Sequence, residues 1–395
     1  MTSVARSNRY HIAVFGRRNA GKSSLVNCIA GQAVSIVSDV AGTTTDTVWK
    51  NIELPGIGAA VIADTAGFDD EGGLGSMRVE AARKVLACAD AAILLLGDAV
   101  DDATLEKEWL ARIQELELPF VAVAGKCDKE GSEACVAAWR SVLGCEVIPF
   151  SAVTGDGRDA LLERVAMCYR QDDDIDDITH SLVKAGDVVV LVMPQDASAP
   201  KGRLIQPQVQ TLRNLLDKHC IPLCCAPEEL PKLLKSLVAP PQLIITDSQV
   251  FPAVEKLTPK GARLTSFSVL MARHKGDIDM FRSGAQALLA LSPTARVLIA
   301  EACSHIPQNE DIGRVKLPRL LRSKLGEGLK IDVVGGNDFP DDLMGYDIVI
   351  HCGACMFNRR TVMSRVRQAK AQGVPITNYG IAIAALTGIL ERVVV

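Results

Sequence analysis

Aromatic residues are scarce in this chain, at 4% of 395 positions, and neither sign of charge dominates: 43 Lys and Arg face 47 Asp and Glu, for a net charge of -4. Such a balance supplies no basic stripe to attract a phosphate backbone, so nucleic acid is not an expected partner. Long apolar runs are also missing. Val188 to Met193 is among the longest, far below the about 20 residues a membrane-crossing helix needs, and no membrane span is expected. Met1 to Tyr10 is polar and holds no apolar stretch ahead of a cleavage site, which argues against secretion and for a cytoplasmic protein. There is no heptad run, short-period repeat or low-complexity tract. With 48% hydrophobic composition the chain can bury real cores, and its length suits two or three domains.

Twelve cysteines would staple a small secreted domain, but in a large cytosolic chain most are expected to be reduced. Cys28, Cys88, Cys127, Cys135, Cys145, Cys168, Cys220, Cys224 and Cys225 share no ligand spacing and read as small buried hydrophobes. The other three stand beside histidines, in Cys303-Ser304-His305 and His351-Cys352-Gly353-Ala354-Cys355, and that grouping looks like a metal site.

Short Val, Ile and Ala runs alternate with helical periodicity along the whole chain, the pattern of α/β folds with mainly parallel sheets. Strands are expected at 10–15, 59–64, 91–96, 120–124 and 146–150, then at 187–193, 220–225 and 242–246, then at 296–301, 330–334, 347–351 and 374–377. The acidic stretch Gln171 to Asp177 reads as an exposed boundary. The division is therefore a phosphate-loop domain over 1–170, a small α/β domain over 180–262 whose apolar edge can pair with a copy of itself, and a third α/β domain over 265–395.

Gly16-Arg17-Arg18-Asn19-Ala20-Gly21-Lys22-Ser23 fits the phosphate-loop pattern, with a strand before it and a helix from Lys22 to Ala30 after it. The glycines let backbone N–H groups close around phosphate, Lys22 reaches the β and γ phosphates, and the Ser23 hydroxyl serves Mg2+. Asn19, Ala20 and Ser24 complete the expected nucleotide contacts of this loop. Asp64-Thr65-Ala66-Gly67 closes the next expected strand, bringing a carboxylate near the metal and the Gly67 N–H near the γ-phosphate. Between them, Gly42-Thr43-Thr44-Thr45-Asp46 offers a switch threonine, Thr44, whose hydroxyl meets Mg2+ when the γ-phosphate is present. In Gly125-Lys126-Cys127-Asp128, Asp128 is placed to accept from guanine, and Ser151-Ala152 to contact the guanine oxygen.

Together these motifs resemble the five-motif set of GTPases, above all the branch of tRNA-modification and ribosome-assembly GTPases. That branch reads Asn-Lys-x-Asp where this chain has Gly125-Lys126-Cys127-Asp128, so guanine affinity is expected to fall, with Asp128 carrying most of the discrimination. Phe68 stands where some GTPases place a water-orienting glutamine, and a phenyl ring cannot orient water, so slow hydrolysis or an added activator is expected. The resemblance implies a potassium ion held by Asn19 in place of an arginine finger; the other reading of Asn19 is a loop-stabilising turn residue.

Cys303 and Cys352 each fall just beyond an expected strand, where the carboxyl ends of a parallel sheet line a crevice, and Cys355 precedes the helical stretch Arg359 to Gln372. Spacing alone leaves zinc and iron-sulfur equally open. Three thiolates with a weak or open fourth position suit a 4Fe-4S cluster, with Glu310, His305 and His351 as candidates for that position. Glu310 also reads as a surface or helix-capping residue.

A GTPase domain joined to Cys303-x-His305 and His351-Cys352-x-x-Cys355 resembles the HydF family, GTPases that mature iron-iron hydrogenase. Glu310-Asp311-Ile312-Gly313-Arg314-Val315 and Pro375-Ile376-Thr377-Asn378-Tyr379-Gly380 resemble that family as well, and the likeness covers nearly the whole chain. It implies a homodimeric scaffold binding GTP, GDP and Mg2+, with a 4Fe-4S cluster on Cys303, Cys352 and Cys355. It further implies a two-iron precursor received through two radical-SAM maturases and delivered to apo iron-iron hydrogenase. Two other readings compete with it: a ribosome- or tRNA-directed assembly GTPase with a structural zinc site, and a binding module with an inactive nucleotide site.

Overall fold

Small and β-branched apolar residues, buried on both faces, draw the strands of the N-terminal half into one sheet covered by helices. Its elements are β1 (Tyr10–Gly16), α1 (Lys22–Ala30), β2 (Val48–Leu54), β3 (Gly58–Asp64), α2 (Gly73–Cys88), β4 (Ala91–Leu96), α3 (Thr104–Glu115), β5 (Phe120–Ala124), α4 (Ser132–Leu143), β6 (Val147–Pro149) and α5 (Arg158–Cys168). The computed structural model describes residues 9–31, 48–69, 73–169, 177–195, 202, 204–302, 311–336 and 338–394, and the chain divides into two units, Met1–Gln171 and Asp172–Val395.

In the first unit the strands run in the order β2-β3-β1-β4-β5-β6. All pairs are parallel except β2 with β3, which meet antiparallel with Val48 opposite Asp64. Strand β4 is buried at every position. One face packs Phe15, Trp109 and Trp139 under α2, α3 and α4, and the other packs Leu25, Val26 and Leu161 under α1 and α5. Each such fully buried large side chain contributes about 1.5–3 kcal/mol. Strand β2 was not expected from the sequence. Lys50, Asn51 and Glu53 break any apolar run, because β2 is the sheet's edge and is buried only at Leu54.

The second unit holds two four-stranded parallel sheets. The first is built from β7 (Val188–Val192), α6 (Gln206–Asp217), β8 (Ile221–Cys225), α7 (Leu230–Ser236), β9 (Leu243–Thr246), α8 (Phe251–Leu257), β10 (Arg263–Ser266) and α9 (Phe267–Lys275). After α10 (Ile278–Leu289) the second follows, with β11 (Arg296–Ala300), α11 (Leu317–Leu325), β12 (Lys330–Val334), β13 (Ile348–His351), α12 (Arg359–Ala371), β14 (Ile376–Asn378) and α13 (Tyr379–Leu386). The orders are β10-β9-β7-β8 and β12-β11-β13-β14. Each sheet therefore places its second strand on one side of the first and its third and fourth on the other.

The likeness extends to the helix after each fourth strand. The Ser266 side chain accepts from Val269 N to cap α9, and the Asn378 side chain accepts from Gly380 N at 2.8 Å to cap α13. These two helices meet. Ser268 Oγ donates to Asn378 Oδ1 at 2.9 Å and accepts from Gly380 N at 3.2 Å. A Cβ on Gly380 would lie 2.9 Å from Ser268 Cβ, so glycine sets the closeness of approach. Val190 and Ile244 from the first sheet and Phe251 of α8 share one core with Leu298, Val349 and Ile376 from the second.

Candidate functional site

The phosphate loop turns out of β1 through two left-handed residues, Asn19 (φ 59) and Gly21 (φ 102). Gly21 caps α1 without a side-chain bond, which leaves the helix N-terminal amides aimed at the loop's mouth. The Lys22 ammonium folds back over the loop, donating to Gly16 O at 2.9 Å and Arg17 O at 2.8 Å. Ser23 and Ser24 are exposed. Arg17 is held from below by Glu106 of α3, Nε to Oε1 at 2.6 Å and Nη2 to Oε2 at 2.9 Å. This bond raises the guanidinium's pKa, and it makes Arg17 a strut of the loop. Sequence reasoning missed Glu106, which lies 89 residues away.

Asp64 ends β3 opposite Val14 of β1, and Thr65 Oγ1 donates to Val14 O at 2.6 Å, pinning the turn to the loop's strand. Gly67 lies so close that a Cβ there would be 2.7 Å from Arg18 N. Asp69 was also missed: its carboxylate accepts from Arg18 N at 2.6 Å, tying this segment to the phosphate loop. Phe68 is turned into the core, stacked on Trp109 at 5.5 Å, and Trp109 stacks in turn on Phe15 at 5.1 Å. Thr44 and the rest of Gly42 to Asp46 lie outside the described residues.

After β5, Asp128 accepts from Ser151 Oγ at 2.7 Å. That bond, ahead of all other causes, holds the carboxyl below its ordinary range. Ser151 is fully buried and its Oγ also accepts from Val153 N and Thr154 N, so its position is fixed from three sides. Ala152 follows, half-buried. Lys126 is left-handed (φ 60), with its ammonium 3.5 Å from Asp98. A Cβ on Gly125 would meet Ala20 O of the phosphate loop at 3.2 Å, so the two loops leave little room for a side chain there.

In the second unit, Cys352 follows β13, and its N–H still bonds Ala300 O at the end of β11. Strands β12 and β13 leave β11 on opposite sides, so Cys352 sits in the crevice where ligands of open parallel sheets bind. Its sulfur accepts from Ala302 N at 3.0 Å and Ala354 N at 3.4 Å, two donors that favour a thiolate over a thiol. Ala354 is left-handed (φ 51), which curls the loop round toward Cys355. Burial pushes the Cys355 thiol up, opposed by the charge of Lys275. Cys303, His305 and Glu310 lie outside the described residues.

His351 points inward. Its Nε2 is 3.0 Å from Arg365 Nη1 and its Nδ1 is 2.9 Å from Cys352 O. Arg365 can only donate, so Nε2 accepts and the ring proton sits on Nδ1. Burial, with Arg365 beside it, depresses the imidazole pKa to about 3. The ring is thus neutral with both nitrogens engaged, and it presents no lone pair to a metal. Two buried cations, overlooked in the sequence, surround the loop. Lys275, the last residue of α9, donates to Phe357 O at 2.8 Å and Ala354 O at 3.2 Å, and burial lowers its pKa to about 8. Arg365 of α12 lies between the rings of Phe339 (4.7 Å) and Phe357 (4.6 Å) and also donates to Gly336 O. Burial lowers its pKa to about 10. Among the described residues no group of three or more His, Cys, Asp or Glu could hold a metal ion.

Family models match three stretches: 50S ribosome-binding GTPase over 11–126, hydrogen maturase F dimerization domain over 178–276, and hydrogen maturase F tetramerization domain over 279–395. The GTPase domain implies GTP, GDP and Mg2+ as ligands, and the other two are named for self-association. Among solved structures, the chain is similar to Era in complex with MgGDPNP and a piece of 16S ribosomal RNA, at 21% identity over 64% of this chain and 98% of that one, TM-score 0.34. It is similar to Aquifex aeolicus Era bound to GDP and AlF4-, at 20% identity over the same shares, TM-score 0.34. It is also similar to the G domain of the T. maritima FeoB iron transporter, at 22% identity over 41% of this chain and 100% of that one, TM-score 0.33. No helix among the described residues is long and apolar enough to cross a membrane. Carrying a GTPase domain followed by both hydrogen maturase F domains, the chain belongs to the HydF family of hydrogenase-maturation GTPases.

Proposed function

We propose that the protein is a GTP-hydrolysing scaffold and carrier of hydrogenase maturation. It holds a 4Fe-4S cluster on Cys303, Cys352 and Cys355, takes a two-iron precursor as cargo from radical-SAM maturases, and delivers it to apo iron-iron hydrogenase. It works as a cytoplasmic homodimer, with the GTPase domain over 1–170, the dimerisation domain over 180–262 and the cluster domain over 265–395. The observation that carries this reading is Cys352, at a crevice between two strand ends with its sulfur accepting two backbone N–H groups. Those donors and the buried cations beside the loop fit a thiolate-bound, negatively charged group. Once bound, the cluster supplies an iron with an exchangeable fourth position. With both nitrogens of His351 engaged, Glu310 and His305 are the candidates for it.

In the GTPase domain, Lys22 and the amides of Gly16 through Ser24 hold phosphate, Ser23 and Thr44 meet Mg2+, Asp64 supports the metal, and the Gly67 N–H meets the γ-phosphate. Asp128 and Lys126 hold guanine with Ser151 and Ala152, and binding is weakened by Gly125 in place of asparagine. Hydrolysis is slow because Phe68 is a core residue and orients no water, and K+ held by Asn19 accelerates it. The nucleotide state controls encounters with maturases.

Anaerobic reconstitution with iron and sulfide, followed by EPR of the reduced protein, tests the cluster. A 4Fe-4S signal is expected in the parent and none in a Cys303→Ser/Cys352→Ser/Cys355→Ser variant. Stoichiometric zinc without that signal would overturn the reading in favour of an assembly GTPase with a structural zinc site. The GTPase half is tested by Lys22→Ala, expected to lower K+-stimulated turnover by about 100-fold or more. Equal turnover with K+ and Na+ would remove the role given to Asn19.

A further inference from the structure

Lys275 and Arg365 are nearly fully buried, at 3% and 6% exposure, and among the described residues neither meets a carboxylate. Burying a cation without an anion is costly, and carbonyl oxygens offset only part of the cost. Both cations nevertheless converge on one loop. The Lys275 ammonium is held by the carbonyls of Ala354 and Phe357, one to either side of Cys355. The Arg365 guanidinium leans on Phe357 and bonds His351, the neighbour of Cys352. On the same loop, the Cys352 sulfur accepts two backbone N–H groups, an arrangement suited to negative charge at sulfur.

We propose that Lys275 and Arg365 are the resident countercharges of the cysteine loop, a buried pair that balances the negative charge of a thiolate-bound metal centre and raises its reduction potential. The inference rests on the cluster reading above and assigns residues that no cysteine motif contains. An iron-sulfur cluster held by three thiolates gains negative charge when it accepts an electron, and fixed positive charge nearby favours the reduced form. Lys275 belongs to the 178–276 domain and the loop to the 279–395 domain. The domain matched by the dimerization model therefore contributes a charge to the loop of the following domain, and movement of α9 would change the potential.

The experiment uses the full chain, reconstituted anaerobically with iron and sulfide and titrated electrochemically with EPR detection. Lys275→Gln keeps a donor for the two carbonyls and removes the charge; Arg365→Lys keeps the charge and removes the planar fork. Lys275→Gln is expected to shift the one-electron equilibrium at least tenfold toward the oxidised cluster, a midpoint lower by about 59 mV. Arg365→Lys should stay near the parent, Arg365→Gln should fall like Lys275→Gln, and the exposed Lys235→Gln should not move. A parental potential in both Gln variants, with only a lower melting temperature of the metal-free chain, would reduce the pair to structural residues and overturn the inference. A parent that takes up zinc but no iron would overturn the cluster reading alone. The countercharge role would then stand only if both Gln variants weakened zinc binding at least tenfold. A parent that takes up neither metal overturns both.

Discussion

A single missing side chain separates Gly125-Lys126-Cys127-Asp128 from the usual GTPase pattern. A Cβ on Gly125 would stand 3.2 Å from Ala20 O of the phosphate loop, tight but open to a few tenths of an ångström of adjustment. Gly125→Asn should therefore be accommodated and should tie the two loops together by a side-chain bond. We expect GDP affinity to rise about tenfold, near 1.4 kcal/mol, measured by titration calorimetry; unchanged affinity would mean that the missing asparagine does not limit binding. Gly67 is the opposite case. A Cβ there would meet Arg18 N at 2.7 Å, and Gly67→Ala should push the loops apart and lower turnover by at least tenfold. Phe68→Ala should cost about 3–5 kcal/mol of stability, read from urea unfolding, because the ring belongs to the Trp109 stack. These residues differ in legibility. The phosphate loop was readable because its chemistry lies in adjacent backbone amides and glycines. The burial of Phe68 was not, since it depends on a helix that arrives about 40 positions later.

Among the elements, α10 and α12 carry the strongest consequences. Gly284 lets α10 lie against β14, where a Cβ would fall 2.0 Å from Ile376 O. Gly284→Ala must shift the helix and should destabilise the second unit by about 1–3 kcal/mol, seen as an earlier unfolding transition. Asn358 caps α12, its carboxamide oxygen accepting from Thr361 N at 3.1 Å, so the helix start is anchored three residues after Cys355. The apolar strands β4, β7 and β11 were expected from sequence because two-sided burial leaves them unbroken runs. Strands β2 and β10 were not, since one is an exposed edge and the other spans four residues, Arg-Leu-Thr-Ser.

For the whole molecule, the core shared by the two sheets predicts that residues 178–276 and 279–395 unfold together, while GTP raises only the transition of Met1–Gln171. Calorimetry with and without nucleotide checks this. Acid stability should also report the partly buried imidazole of His274. Burial, with Lys275 and other cations nearby, lowers His274 from its ordinary 6.5 to about 4. The unfolded chain therefore takes up this proton first as the pH falls. Stability contributed by neutral His274 is complete above pH 6.5, declines down to about pH 4, and amounts at most to about 3 kcal/mol. Denaturant midpoints measured across that range should fall with pH; a flat profile would mean that His274 is hydrated.

By itself the sequence determined the alternating α/β architecture, the phosphate loop between β1 and α1, and the pairing of Cys352 with Cys355 in the loop after β13. Each of these depends on a local period or on neighbouring residues in one turn. Only the tertiary structure decided that His351 faces Arg365, that Glu106 braces Arg17, and that Lys275 reaches the Cys352–Cys355 loop. Those partners are 14, 89 and 79 residues apart, and no local propensity records a contact that exists only once separate helices have packed.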